Sequence, residues 1–545
     1  MSAIGAQVHT KTTAARARIG SANRAAIGRR AVRIRLLPAV LSALGVGLVV
    51  ALVAYGFLRL ITPTSDAEAA PIDITRVSLT VVAGVGGVVA LVIAYRRQRD
   101  LEQNRFVERF GAAAAQLGAT DVAVRIAGVY AMAGVADESD GLRRQQCIDV
   151  LCGYLRLPYD PDHGSSGRTK LVTISPRVDR GRDRGEIQEH IEYRHNDREV
   201  RRTIIRVIAD HLKREAEYNW STSNFDFRTA HLENADFTHI TFTDVRFEGA
   251  TFTGSSRFVS STFTGAAGFE HTTFNGPVSF VGARFNGPAW FEGTRFTGPA
   301  GFRDVTFSAT TGFEHTTFID TAGFEQTAFA GAAGFTDVRF GGTAGFDHAT
   351  FARTARFERT TFAGTAGFEH TGFAGTAGFE GATFAGRAGF EHAIFTGAAG
   401  FRGVTFAGIA GFRGAAFIST ARFAGARFSG PAEFRDAKFS GPAGFRDAAF
   451  TTTAKFEDVK FSGPAEFGGA RFTGPTWFEH ATFTSDTNFS PTDFGTAEVS
   501  FRSPRQWGPP APKFDWDDNL PGKPTNIEPQ DWPPAPRATE AARQQ

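Results

Sequence analysis

From Phe252 to Phe494 a phenylalanine recurs at intervals that alternate strictly between six and five residues, as Phe258, Phe263, Phe269, Phe274, Phe280 and Phe285 illustrate. The underlying unit is eleven residues long and is repeated twenty-two times over 242 residues. Neither a single helix nor a flat strand demands that spacing over such a length. A stacked solenoid does, because each repeat buries its apolar residue only against its neighbours. Fifty-one of the fifty-five Phe lie between residues 225 and 501, so the aromatic core is confined to the C-terminal half of the 545-residue chain.

Aligned on Phe, the unit holds two pentads. One reads Ala-Gly-Phe-Glu-His, as at 366–370, and the other Thr-x-Phe-Ala-Gly, as at 371–375. A small residue two before Phe (Ala300, Ala377, Ala443) fills a second inward position. The Gly two after the second Phe is expected to supply a positive φ at a corner. A sixth residue follows it, often Pro as at Gly276-Pro277 and Gly430-Pro431, where the ring fixes a turn.

These motifs resemble the pentapeptide-repeat family, whose repeat reads small–polar–Leu/Phe–polar–Gly with the middle residue buried. Asn234-Ala235-Asp236-Phe237-Thr238 matches it almost letter for letter, and Phe227, Leu232, Phe237, Phe242, Phe247 and Phe252 keep a pure five-residue period. The resemblance covers about 225–494 and implies a right-handed quadrilateral β-helix with four pentads per coil. Here a coil holds twenty-two residues, so two opposite corners per coil are expected to bulge, and about twelve coils are expected in all. Arg105–Tyr154 resembles the helical module found beside such repeats in bacterial membrane proteins, through Glu108-Arg109-Phe110, Gln116-Leu117-Gly118 and Gly128-Val129-Tyr130-Ala131.

Ahead of the repeats, Leu36–Leu58 and Val77–Tyr95 carry no charge. A spanning helix needs about 20 apolar residues, so both are expected to cross a bilayer as a hairpin over 36–95. Residues 1–35 hold eight Lys or Arg and no Asp or Glu, and Arg96, Arg97 and Arg99 follow the second run. Basic residues outside the pair place both termini in the cytoplasm of a multi-pass cell-membrane protein. The arm, without interleaved aromatics, suits an anionic leaflet better than nucleic acid.

Residues 96–220 are expected to form a helical module. Phe106, Phe110, Ala113, Ala114 and Leu117 make one apolar face, Val122, Ile126, Val129, Tyr130 and Ala133 a second, and Ile148, Leu151, Cys152 and Leu155 a third. Thr120 or Asp121, then Ser139 or Asp140, are the expected caps. A polar loop is expected over 160–185, and a long charged helix over 186–218 that carries Ile187, Ile191, Ile204, Ile205, Ile208 and Leu212. Cys147 and Cys152, five apart in a helical pattern, point to different sides, which argues against a bridge. Residues 221–501 are the repeat rod, capped by Trp220 at one end and Phe501 and Trp507 at the other. Residues 502–545 hold ten of the twenty-four prolines and are expected to be a disordered tail.

Residues twenty-two apart should stack. One such column reads Glu325, Asp347, Glu369, Glu391, Arg413, Arg435, Glu457, Glu479, with Gln326, His348, His370 and His392 beside it. Carboxylate and imidazole are metal ligands, but stacked side chains run parallel instead of converging, so Asp347/His348, Glu369/His370 and Glu391/His392 are expected to form a solvated, pH-sensitive face. His190 and His195 belong to a charged helix face. No nucleophile–base–acid grouping, phosphate-cradling loop or zinc spacing occurs, so no catalytic residue, cofactor or metal site is expected.

The leading functional expectation is a non-enzymatic, membrane-tethered cytoplasmic scaffold whose rod meets a protein partner. The alternatives are a DNA mimic acting on DNA gyrase, which family resemblance raises, and a passive or self-assembling spacer, with the rod forming a homo-oligomer. Residues 221–500 carry 27 Asp or Glu against 21 Lys or Arg, a balance too mixed to imitate a polyanion.

Overall fold

The Phe ruler closes into a coil because each pentad alternates an extended pair with a corner. In the computed structural model, Ala377–Gly378 is a strand, a turn follows Phe379, Thr383–Phe384 is the next strand, and a bend follows at 385–386. Four strands make one coil, and each pairs in parallel with the strand one coil away, as Thr361↔Thr383↔Thr405 and Ala355↔Ala377↔Ala399 show. The result is a four-sided solenoid with sheets of 13, 12, 13 and 13 strands. Face I runs from Asn224–Asp226 to Thr487–Asn488 and face II from His231–Glu233 to Arg471–Phe472. Face III runs from Ser256–Arg257 to Ile527–Glu528 and face IV from Thr241–Phe242 to Gln506–Trp507.

The structure describes residues 71–161, 170–179, 182–192, 197–518 and 520–537, with isolated positions between 45 and 60. The chain divides into two compact units, 1–108 and 109–545.

Inside the solenoid the rings form four columns, not one stack. Phe346, Phe368 and Phe390 stack face to face at 4.9 and 4.8 Å with interplanar angles of 1° and 2°. The opposing column meets them edge-on, with Phe357 and Phe379 both 5.5 Å from Phe368 at 88° and 90°. Offset stacks along the axis and T-contacts across it are the two arrangements a ring quadrupole favours. Each fully buried ring contributes about 2 kcal/mol through its apolar area. Buried Thr residues replace Ala or Val at the third position after Phe, and their hydroxyls donate to a carbonyl of the adjacent coil, as in Thr371 Oγ1 to Phe346 O at 2.7 Å.

Gly254 and Gly276 take the positive φ expected of the corner glycines, at 70° and 138°, but most of the others work differently. Gly375, Gly386, Gly397 and Gly408 do not take a positive φ. They permit close approach of coils: a Cβ on Gly397 would lie 2.2 Å from the carbonyl oxygen of Gly375. The left-handed position is instead the second residue after the other Phe, filled by Gly381, Gly403, Asp337, His348, His370 or His392.

In the first unit the membrane expectation fails. Among the described residues, no helix is long and apolar enough to cross a membrane. Val77–Tyr95 is not a separate span but part of α1 (Pro71–Leu117), a 47-residue helix that continues unbroken into Arg96, Arg97, Arg99, Asp100 and Glu102. Counting uncharged positions overstated its apolar area, since Thr80, Gly84, Gly86 and Gly87 supply little of it. The multi-pass localisation with cytoplasmic termini falls with it. Leu36–Leu58 lies mostly, and the basic arm 1–35 wholly, outside the described residues.

In the second unit, α2 (Val122–Asp137), α3 (Leu142–Leu155) and α4 (Asp197–Leu212) precede the first coil. Asp121 caps α2, accepting from Ala123 N at 2.7 Å, whereas Gly141, neither Ser139 nor Asp140, stands at the N-cap of α3. The buried face of α2 is rotated from the expected one: Arg125, Gly128, Val129 and Met132 are buried while Tyr130 is exposed. Gly128 explains the shift, because a Cβ there would lie 2.7 Å from Leu117 N. Ile148, Leu151, Cys152 and Leu155 are buried as expected, and both cysteines are free. The loop expected at 160–185 contains a strand, β1 (Lys170–Asp179), which pairs antiparallel with β2 (Arg182–Glu192). The β-branched run Val172-Thr173-Ile174 favours that hairpin, and it shortens the expected helix to α4, leaving Ile187, Ile191 and His190 on a strand. His195 lies outside the described residues.

The tail is ordered through residue 537 and does not conform to the disordered expectation. Val499–Ser500, Gln506–Trp507 and Ile527–Glu528 extend faces III and IV, which is why the solenoid exceeds twelve coils. The prolines are accommodated between these short strands. Trp532 packs edge-on against Phe514 at 5.0 Å, and Phe514 stacks on Phe489 at 4.8 Å, so the aromatic columns end under indole rings.

Candidate functional surface

Because strands register twenty-two residues apart, outward side chains form columns along each face. The His ladder singled out from sequence lies along face III. His348 stacks on His370 and His370 on His392, each at 5.0 Å, with interplanar angles of 1° and 12°. All three occupy the left-handed turn, at φ of 59°, 56° and 57°. His, Asp and Asn are the side chains most tolerant of that conformation, so backbone geometry accounts for their presence. The neighbouring carboxylates fold over the glycines of the strand: a Cβ on Gly367 would lie 2.7 Å from both Asp347 oxygens. Asp347 Oδ1 accepts from Glu369 N at 2.8 Å. Arg387 pairs with Glu391 and lies 3.8 Å from Glu369. Burial, and then the Glu369 charge, push the Glu391 carboxyl up from its ordinary range. Among the described residues, no three His, Cys, Asp or Glu side chains converge to hold a metal ion.

The column continues as expected into Arg413, Arg435, Glu457 and Glu479. Arg435 pairs with Glu457 one coil on, and Lys455 with Glu433 at 2.9 Å. Face I carries a comparable column: Glu248, Glu270, Glu292 and Glu314, then Thr336, Glu358, Glu380, Arg402, Ala424 and Arg446. Trp290 stands on that face, 37% exposed.

Sequence reasoning missed a buried ionic cluster at the N-terminal end. Asp197 accepts from Arg125 at 2.6 Å, Tyr154 Oη at 2.6 Å and Arg201 Nε at 2.7 Å. Arg201 also donates to the carbonyls of Leu155 and Leu157, both at 2.8 Å, and lies 4.3 Å from the Tyr159 ring. Tyr159 and Arg198 then bind Glu233 of the first coil at 3.0 and 2.7 Å. The cluster ties helices to solenoid. Its only signal in the sequence is Arg125 lying on an otherwise apolar helix face. Trp220, expected as a cap, is buried, stacks on His211 at 4.0 Å and donates to Asp137 at 2.9 Å.

Four parallel sheets wound around aromatic columns define a β-solenoid repeat protein. The chain belongs to the pentapeptide-repeat family: the model described as Pentapeptide repeats (9 copies) matches seven overlapping segments from 247–295 to 434–482, and that described as Pentapeptide repeats (8 copies) matches 223–266. The match does not extend to the helices of 105–154. No curated protein and no solved structure matches the chain.

Proposed function

We propose that this chain is a non-enzymatic scaffold whose solenoid presents rigid lateral faces to protein partners. The observation that carries this reading is the regular aromatic interior: in the Phe346–Phe368–Phe390 column successive rings differ by only 1° and 2° in orientation, and strands pair in register coil on coil, so outward residues repeat at about 4.8 Å. A surface so ordered binds with little loss of conformational freedom. The mixed columns favour a protein partner over imitation of nucleic acid, since Arg402, Arg413 and Arg422 interrupt the acidic faces. A photo-crosslinking side chain placed in the cell at single outward positions of each face tests this. Adducts clustered along one face, and lost on charge reversal of that face, are expected. Absence of adducts from all four faces refutes the reading.

A further inference from the structure

On the edge where face I turns into face II, four arginines stand together without an ion-pair partner. Arg402, Arg422, Arg427 and Arg446 lie on three consecutive coils, and all are exposed. Arg422 sits in register between Gly400 and Gly444 on face I, and Arg427 between Thr405 and Ala449 on face II. Arg402 and Arg446 occupy the position of Ala424 one coil before it and one coil after it. The four side chains therefore start from the corners of a diamond centred on Ala424-Gly425. Among the described residues, none of the four makes an ion pair. Arg359 and Arg471, further along the same edge on either side, are paired with Asp337 and Asp493.

The floor of the diamond is open. No atom lies within 4 Å of where a Cβ on Gly403 or Gly425 would stand, and at Gly444 the only atom that close is the Ala421 carbonyl oxygen, at 3.9 Å. The bordering carboxylates lie at the margins. Glu380 folds over Gly378 and Gly400 on the N-terminal side, and Asp447 over Gly469 on the C-terminal side. Like charges held one coil apart repel, so the cluster is relieved by an anion brought from outside. A guanidinium carries forked donors that meet a carboxylate in two parallel hydrogen bonds.

We infer that this edge docks a short acidic segment of a protein partner through Asp or Glu side chains. Arg402 and Arg446 start two coils apart, about 10 Å, a distance that about three residues of extended chain span. A segment lying along the rod passes over the Ala424-Gly425 floor, with Arg422 on one side and Arg427 on the other. A long polyanion fits less well. Four cations fall short of the about 6–10 phosphate contacts with which proteins hold nucleic acid. Beyond the diamond a longer strand meets Glu358 and Glu380 in one direction and Asp447 and Glu466 in the other. Because the arginines are exposed, the contact should be weak and sensitive to salt.

This names the chemistry of one partner of the scaffold proposed above and rests on that reading. A hexaglutamate peptide carrying a terminal benzophenone, irradiated with the full chain and mapped by mass spectrometry, tests it. Reading the position of the adduct separates the edge from the basic arm at 1–35, which also attracts the peptide. At about 50 mM NaCl adducts are expected on the coils that carry the four arginines, with their yield at least about tenfold lower at about 500 mM. Arg402→Glu/Arg446→Glu should lower the edge yield at least about tenfold, and Arg422→Lys/Arg427→Lys, which keeps the charge and loses the fork, about threefold. Lys438→Glu/Lys460→Glu, the same charge change on face IV, should leave it within about twofold, and all three variants should keep the wild-type circular dichroism. Unlabelled hexaglutamate should displace the probe from the edge at lower concentration than an oligothymidylate of equal charge. No adduct on the edge, an edge yield unmoved by the Glu pair, an equal loss in the face IV variant, or displacement first by the oligothymidylate overturns the assignment, the last in favour of nucleic acid. None of these results touches the adducts of cellular proteins on which the scaffold reading depends.

Discussion

Replacing Phe368 by Ala should break the rod locally at its centre. The ring is fully buried. It loses two stacked neighbours, at 4.9 and 4.8 Å, and two edge contacts, both at 5.5 Å. Deleting a buried Phe costs about 3–5 kcal/mol in transfer and cavity terms, and coils hydrogen-bonded above and below cannot collapse to fill the void. We therefore expect a loss near the upper part of that range, about 4 kcal/mol, with Phe368→Leu costing only about 1–2 kcal/mol because most of the volume remains. Hydrogen-exchange mass spectrometry is the suitable assay, because a repeat array need not unfold in one step. Amides of the coils around 346–390 should lose about a thousandfold protection, while the coils near 240 and 480 should change little, since each coil touches only its neighbours. A loss below about 1 kcal/mol, or an even loss from end to end, would refute the stacking argument.

Gly397→Ala forces a Cβ to 2.2 Å from the Gly375 carbonyl oxygen, whereas Gly403 has a φ of 65° and no atom within 4 Å. Thermal melts should therefore show a larger loss for Gly397→Ala than for Gly403→Ala, whose cost is about 1 kcal/mol of left-handed strain. The Arg228 hydrogen bonds, outweighing partial burial, hold the Asp226 carboxyl down at about 2 from an ordinary 3.8. A depressed folded value means its stabilisation is present above pH 3.8 and lost as pH falls towards 2, so Asp226→Asn should flatten acid denaturation in that window. Trp532→Ala uncovers Phe514 and should reduce protection of the last coils first, by about 2–3 kcal/mol, as read by hydrogen exchange.

The solenoid was legible in the spacing of Phe252 to Phe494 because burial there depends on a strictly repeated local unit. The stacking of Glu369 and His370 on their counterparts in neighbouring coils followed from the same period combined with the four-pentad coil that the family resemblance implied. Residues outside that period were harder to read. Val77–Tyr95 lacks charge, yet it is continuous with the charged end of a 47-residue helix. The hairpin of Lys170–Asp179 and Arg182–Glu192 depends on pairing that no periodic pattern announces. Proline richness suggested disorder after residue 501, but unsatisfied strand edges and exposed rings on the last coil recruit Trp507, Phe514 and Trp532. Arg125 and Asp197 lie 72 positions apart and meet only because α2 and α4 pack together.

The eleven-residue period by itself determined that the array is a solenoid and that its rings are buried, since both depend on contacts between equivalent neighbours, while the four-pentad coil and its twenty-two-residue register came with the family resemblance. Only the tertiary structure decided how the columns end, which glycine serves a turn and which a close approach, and how outward charges line up on four separate faces. Those properties depend on what surrounds a residue in space, and a repeating sequence gives equivalent positions the same letters while the fold gives them different neighbours.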